Sequence, residues 1–266
     1  QGGLGAGELG VVVAPAGIGK SWVLSAMGAY AISQGLNVVH YTLELNEAYV
    51  GLRYDSIFSG VESQNLKYHK EEVMEKLFNL KGNLTIKYYP TRACTVNTLS
   101  AHLKKVTTFG KKVDMVLVDY ADIMRDVGKA QEMRHALGNI YEDLRGLAGE
   151  LQVPIWTASQ ANRSALDEDV IEATKVAESY AKVMTADFVM SLSRKIEDKI
   201  GNTGRFHVIK NRFGPDGLTY PAKINTNIGK IEIFESNSVQ GKDVQHKINN
   251  RDNQTKQMLS ARYEDL

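Results

Sequence analysis

Leu9-Gly10-Val11-Val12-Val13-Ala14-Pro15-Ala16-Gly17-Ile18-Gly19-Lys20-Ser21 is the stretch on which the reading of this chain turns. Its first half is apolar and β-branched and reads as a short buried strand. Trp22 to Gln34 reads as a helix, with Gly35 where a glycine closes a helix end. Strand, glycine-rich turn, Gly-Lys-Ser and helix together make a phosphate-binding loop over Ala14, Pro15, Ala16, Gly17, Ile18, Gly19, Lys20 and Ser21. Small residues let backbone N–H groups wrap phosphates, and the helix start adds the positive end of its dipole. Lys20 is expected on the β and γ phosphates of ATP or another nucleoside triphosphate, and the Ser21 hydroxyl on Mg²⁺. Ala14 stands where the pattern has its first glycine. An ordinary turn holding a chance Gly-Lys-Ser is the competing reading, and the flanking strand and helix weigh against it.

The chain has 266 residues, 43% hydrophobic and 24% charged, which suits one sizeable globular domain, or one domain with appendages. A formal net charge of +1 excludes global basicity, so any nucleic-acid surface must be local. Cys94 is the single cysteine, which rules out an intramolecular disulfide and fits a reducing, cytoplasmic setting. It reads as a packed small residue rather than a nucleophile. The six histidines lack paired metal-ligand spacing. Neither a bilayer-spanning run nor a signal peptide is apparent. The chain opens at Gln1, close to what reads as a domain entrance, and is expected to be a piece of a longer protein that lacks its N-terminal domain.

Asn37 to Leu43 reads as a second strand, followed by a helix holding Val50, Leu52 and Ile57. Residues 60–82 read as helical with one side facing solvent, and Leu84 to Tyr89 as a strand. Thr95 is positioned to cap a helix carrying Val96, Leu99, Leu103 and Val106 at helical spacing. Asp114-Met115-Val116-Leu117-Val118-Asp119 is the continuous apolar run of a strand buried in a parallel sheet. Met133, Leu137, Ile140, Leu144, Leu147 and Leu151 then mark one face of a long helix, and Ile155 to Ser159 the next strand. Residues 164–185 read as helical or irregular. Strands are expected over Ala186 to Leu192 and Arg205 to Lys210, with a closing antiparallel pair over Leu218 to Asn225 and Lys230 to Phe234. A helix is expected near Asn253 to Tyr263 in a polar tail. Strands alternating with helices predict an α/β fold: a mostly parallel twisted sheet, helices on both faces, and a C-terminal antiparallel pair.

Ligands of such sheets bind beyond the carboxyl ends of the strands. Asp119, after four apolar residues, reads as a Walker B carboxylate that holds Mg²⁺. Tyr120 follows it, so the carboxylate best placed to activate water is Glu44, unless Glu44 merely caps a helix. Gln160 offers an amide that can sense a γ-phosphate. Lys210 and Arg212 lie two apart on an extended segment and so project together. They suit an arginine finger, in cis or from a neighbouring subunit, or else form a plain surface pair.

With these motifs in order, the chain resembles the C-terminal motor domain of DnaB-type replicative helicases, in the RecA-like superfamily. Leu4 to Ser21 resembles the family's domain entrance and phosphate loop. Tyr41-Thr42-Leu43-Glu44-Leu45 resembles the segment with its catalytic glutamate, and Val118-Asp119-Tyr120 its Walker B. Val153 to Arg163, with Gln160, resembles its sensor motif, and Ala186 to Pro215 its last motif. The resemblance spans about residues 2–235, and the divergence outside these motifs suits a phage-encoded or plasmid-like version. It implies a P-loop ATPase domain over residues 1–236 and a charged tail over 237–266. It implies a homo-oligomer, a hexameric ring, that threads single-stranded DNA, with a primase and a helicase loader as partners. It also implies that Lys210 and Arg212, which match the cations of the family's last motif, act on the adjacent subunit's nucleotide. The central loops implied, 125–134 and 162–175, carry Arg125, Lys129, Arg134, Arg163 and Lys175, cations able to track DNA phosphates. Residues 168–185 lack the glycine-bearing loop of the family pattern. Two other readings share the phosphate loop: a RecA-like recombinase or clock-type ATPase, and a nucleotide-binding loader without turnover.

Overall fold

A computed structural model describes residues 3–128, 130, 132–176 and 180–250. Its parallel strands are β1 (Leu9–Ala14), β2 (Val38–Thr42), β3 (Leu84–Tyr88), β4 (Met115–Asp119), β5 (Ile155–Gln160) and β6 (Phe188–Ser193). β7 (Thr203–Asn211), β8 (Thr219–Asn225) and β9 (Lys230–Ile233) extend the sheet by antiparallel pairing. The order across the sheet is β3-β2-β4-β5-β1-β6-β7-β8-β9. The closing antiparallel pair expected from the sequence is β8 and β9, and β7, turning back on β6, joins it as a third antiparallel strand. The apolar runs flanking Asn227-Ile228-Gly229 mark β8 and β9 locally, but the direction of β7 depends on the connection that precedes it.

The helices are α1 (Lys20–Ser33), α2 (Glu47–Ser59), α3 (Lys70–Phe78), α4 (Val96–Thr108), α5 (Met133–Leu151), α6 (Ala181–Thr185) and α7 (Ile196–Gly201). Five of the parallel strands, β1, β2, β4, β5 and β6, are buried nearly throughout, which is why their sequences do not alternate, whereas β3 at the sheet edge is only half-buried. Val11, Val13, Val116 and Val118 pack with Leu99, Leu103, Ile140, Tyr141 and Leu144 on the face carrying α4 and α5. Val12, Ala14, Leu117 and Trp156 pack with Leu24, Ile32, Val50 and Tyr54 on the face carrying α1 and α2. Thr95 caps α4 as expected, its side chain accepting from the Thr98 backbone N–H. Cys94 is fully buried, and burial pushes its thiol up to about 12, so it is a packing residue.

Residues 60–82 hold only a short 3₁₀ turn and α3. Residues 162–176 run through two further 3₁₀ turns, and α7 was not foreseen. Residues 239–250 form a helix that buries Val244 and Ile248. The tail is thus helical earlier than predicted; the helix expected near Asn253 to Tyr263 lies outside the described residues.

Candidate active site

Strand register brings the polar strand ends together. Ala14 stands beside Gln160, and Thr42 beside Asp119. The backbone N–H of Leu43 donates to the Asp119 carbonyl at 2.8 Å. The Thr42 hydroxyl donates to the Leu45 carbonyl at 2.6 Å, bending the chain after β2 so that Glu44 is exposed at the sheet edge. A cavity of about 320 Å³ at this edge is lined by Gly17, Gly19, Lys20, Ser21, Glu44, Tyr120 and Gln160, with Ala16, Trp22, Leu45 and Arg53.

The loop under the cavity needs its glycines. Gly17 has φ 72 and Gly19 φ 120, backbone shapes that a side chain would strain. With Gly19 at the cap position, no side chain occupies the start of α1, which leaves its first amides available to an anion. Lys20 Nζ donates to the carbonyls of Ala14 at 3.0 Å and Pro15 at 3.1 Å. Burial lowers the Lys20 pKa from its ordinary value, opposed by the charges of Asp119, Asp122 and Glu44. That cation, partly desolvated beside the free amides at the start of α1, supplies the positive charge that a phosphate group would meet here.

Asp119 is 2% exposed. Burial raises its pKa, while the Ser21 hydroxyl, Arg53 and Lys20 pull it back and Glu44 adds to the rise. Its Oδ1 is buried with no hydrogen-bond partner. An unpartnered buried carboxylate oxygen beside a serine hydroxyl fits a hydrated divalent cation. Among the described residues no group of three His, Cys, Asp or Glu could hold a metal by itself, so further oxygens would have to come from phosphate and water.

Arg53 was not singled out in the sequence. It projects from α2 into the cavity, 5.1 Å from the Trp22 ring, with Nη1 buried and unpartnered. Burial lowers its pKa, opposed by Asp119 and Glu44. The only signal was a cation on the helix that begins just after Glu44.

Lys210 and Arg212 are not in this cavity. β7 runs antiparallel to β6, so its end lies at the amino edge of the parallel strands, where Asn211 pairs with Phe188. Lys210 Nζ donates to the carbonyls of Val183 and Met184 at 2.9 and 2.6 Å. Arg212 Nε lies 2.9 Å from Asp187 Oδ1. The two cations do gather at one place, but a role in cis at the Lys20 cavity is excluded by the opposite position in the sheet.

Of the predicted DNA-facing cations, Arg125, Arg134, Arg163 and Lys175 follow β4 and β5 beyond their carboxyl ends. Arg125 and Arg163 are exposed. Arg134 lies 3.8 Å from Glu132, and Lys175 is paired with Glu168 at 2.9 Å. Lys129 lies outside the described residues. Asp126, also unforeseen, shapes the loop after β4, accepting from the backbone N–H groups of Gly128 and Ala130 and from the Asn139 amide.

The model for the DnaB-like helicase C-terminal domain matches residues 1–229. The chain belongs to that family. Among curated relatives, the DnaB-like replicative helicase of Enterobacteria phage T4 is 27% identical over 228 residues, 80% of this chain and 48% of that protein. The replicative DNA helicase DnaB of Helicobacter pylori strain 26695 is 24% identical over 172 residues, 63% of this chain and 35% of that protein. The chain therefore spans about half the length of the phage relative and a third of the bacterial one. A solved structure described as an ATPase domain shares the fold with a TM-score of 0.73 at 18% identity, covering 86% of this chain and 85% of that one. A DnaB-like replicative helicase, described with its interactions with primase, gives 0.74 at 17% identity over 86% of this chain and 57% of that one. The RecA-like, DnaB-type fold expected from the motifs stands. Helicase relatives do not favour the recombinase, clock-type or loader readings.

Proposed function

We propose that this DnaB-like domain is the ATP-hydrolysing motor of a replicative DNA helicase. It would work in a hexameric ring that moves on single-stranded DNA and unwinds duplex at a fork. Lys20 and the loop amides of residues 14–21 grip the β and γ phosphates, and Glu44 takes a proton from the attacking water. The water oxygen bonds to the γ phosphorus, the bridging P–O bond breaks, and ADP keeps its electron pair. Ser21 and Asp119 would hold Mg²⁺, which supplies charge neutralisation on the phosphate oxygens. Gln160 senses the γ-phosphate at the end of β5. Arg212, aided by Lys210, serves the nucleotide of the adjacent subunit.

The observation that carries this reading is the division of the catalytic set across the sheet. Lys20, Ser21, Glu44, Asp119 and Gln160 gather at the carboxyl edge, and the finger pair is held at the amino edge. A chain built so needs a second copy to finish its site. We further assign residues 1–236 to the motor and 237–266 to an appended tail, and Arg125, Lys129, Arg134, Arg163 and Lys175 to the DNA path. A primase and a loader are the partners this role requires, in a cytoplasmic setting. Among the described residues no helix is long and apolar enough to cross a membrane. ATP hydrolysis measured with and without single-stranded DNA, beside the native mass, tests the reading: it predicts DNA-stimulated turnover by an assembled form. Turnover indifferent to DNA in such a form would count against it.

A further inference from the structure

Asp122 has no part in the chemistry above, yet its carboxylate is saturated. It sits on the 3₁₀ turn Ala121–Ile123, three residues past Asp119. Its Oδ2 accepts from the backbone N–H of Gln160 at 3.0 Å and from the Ser159 hydroxyl at 3.1 Å. Its Oδ1 accepts from the Tyr141 hydroxyl at 2.8 Å and pairs with Lys182 Nζ at 2.9 Å. Lys182 is 1% exposed on α6 and also donates to the Ser159 hydroxyl at 3.3 Å. Tyr141 is fully buried on α5.

A lysine carried into the interior is costly unless a carboxylate and further acceptors receive it, so its place is specific. The network joins four elements: the turn after β4, the end of β5 at the cavity, α5, and α6. The segment between β5 and α6 is rooted at the same point. The Ala161 N–H donates to the Ala14 carbonyl at 3.1 Å, and the Asn162 N–H to the Lys175 carbonyl at 2.9 Å. Ala161 also bridges Val176. Gln160, the phosphate-loop strand and both ends of residues 162–175 therefore meet around one buried ion pair.

We infer that Asp122 and Lys182 are positioning residues that make Gln160 and the root of residues 162–175 one mechanical unit, so that nucleotide at the cavity changes that segment. The inference deepens the proposed function and rests on the cavity taking a nucleoside triphosphate. An elastic loop on a loose root could not transmit a sub-ångström movement of Gln160. A root clamped by four donors to one carboxylate can, because packed, hydrogen-bonded elements move between discrete arrangements.

The test uses the double variant Asp122→Asn/Lys182→Met, which removes both charges and keeps the volumes, together with Lys182→Met alone. Amide hydrogen exchange is read with and without a non-hydrolysable ATP analogue, beside its Kd and the kcat for ATP. In the wild type, nucleotide should alter exchange over both 14–21 and 162–175. In the double variant Kd should stay within about twofold, protection over 14–21 should persist, and the response over 162–175 should vanish. Its kcat should fall about ten- to a hundredfold, the scale of a small misplacement. Lys182→Met keeps the Gln160 contact to Asp122, so it should lose the response over 162–175 with a smaller fall in kcat. A wild type that binds nucleotide without any change over 162–175 overturns the coupling while leaving the ATPase reading intact. A variant that keeps the response overturns it too. A wild type that binds no nucleotide sinks both.

Discussion

Arg212 Nε lies 2.9 Å from Asp187 Oδ1, at the edge of the sheet opposite Lys20. Asp187 also accepts from the Leu9 N–H at 3.0 Å and from Arg145 Nε and Nη2 at 3.1 and 3.0 Å. One buried carboxylate thus fixes the start of β1, α5 and the segment after β7. It also aims Arg212: with Nε engaged, no described residue is hydrogen-bonded to its two Nη groups. Those groups are the part of a guanidinium that grips phosphate bidentately. From the amino edge, Arg212 cannot reach the cavity at the carboxyl edge of its own chain.

Lys20→Ala should abolish nucleotide binding or turnover. Lys20 is the cation whose Nζ stands over the Ala14 and Pro15 carbonyls in the loop. A binding assay with a fluorescent ATP analogue, followed by phosphate release, reads both. Normal hydrolysis would remove this loop from the mechanism.

Glu44→Gln should bind ATP about as tightly as wild type and hydrolyse it on the order of a hundredfold or more slowly, the scale of losing a general base. The amide keeps the size and exposure of the side chain and loses the proton acceptor. Unchanged kcat would place the base on another residue.

Asp119→Asn should separate stability from activity. Burial raises the Asp119 pKa above its unfolded value, so between those two values the folded chain binds more protons than the unfolded one. This group's contribution therefore makes the nucleotide-free chain less stable as pH rises through that window, and the charge is a standing cost at neutral pH. Removing it should leave the melting temperature equal or higher while Mg²⁺-dependent hydrolysis collapses. A clear drop in melting temperature of the variant would contradict this assignment of the buried charge.

Arg163→Ala and Arg125→Ala should each weaken single-stranded DNA binding and flatten its salt dependence, since each phosphate contact releases about 0.7 of a counterion on a single strand. Titrations at several salt concentrations give the slope. Slopes unchanged from the wild type in both variants would move the DNA path away from the loops after β4 and β5.

What the sequence made legible was local. The phosphate loop, its strand and its helix are contiguous, so their chemistry is written within Leu9 to Gln34. Asp119 and Gln160 are legible because a buried parallel strand is a solid apolar run that ends at its first polar residue. Arg53, Asp122 and Lys182 were missed because each matters through a partner far along the chain. Lys182 meets Asp122 sixty residues away in sequence only when α6 packs beside β5. The edge on which Arg212 lies was open because it turns on the direction of β7, and a six-residue helix, α7, sets that direction without a sequence pattern of its own. The helix over 239–250 had a signal, Val244 and Ile248 four apart in a polar run, but two apolar residues are a thin stripe.

The most direct measurement mixes two inactive chains. Arg212→Ala and Glu44→Gln subunits are each purified, shown to bind nucleotide, and combined where native mass shows mixed assemblies. Alone, Arg212→Ala should lose most hydrolysis, roughly a thousandfold on the scale of an arginine finger. In mixed assemblies one of the two kinds of hetero-interface joins an intact Glu44 to an intact Arg212. Hydrolysis should return there and rise and fall with the mixing ratio. Mixed assemblies that form and stay inactive, or an Arg212→Ala chain that hydrolyses ATP at the wild-type rate, would contradict a site shared between neighbouring subunits.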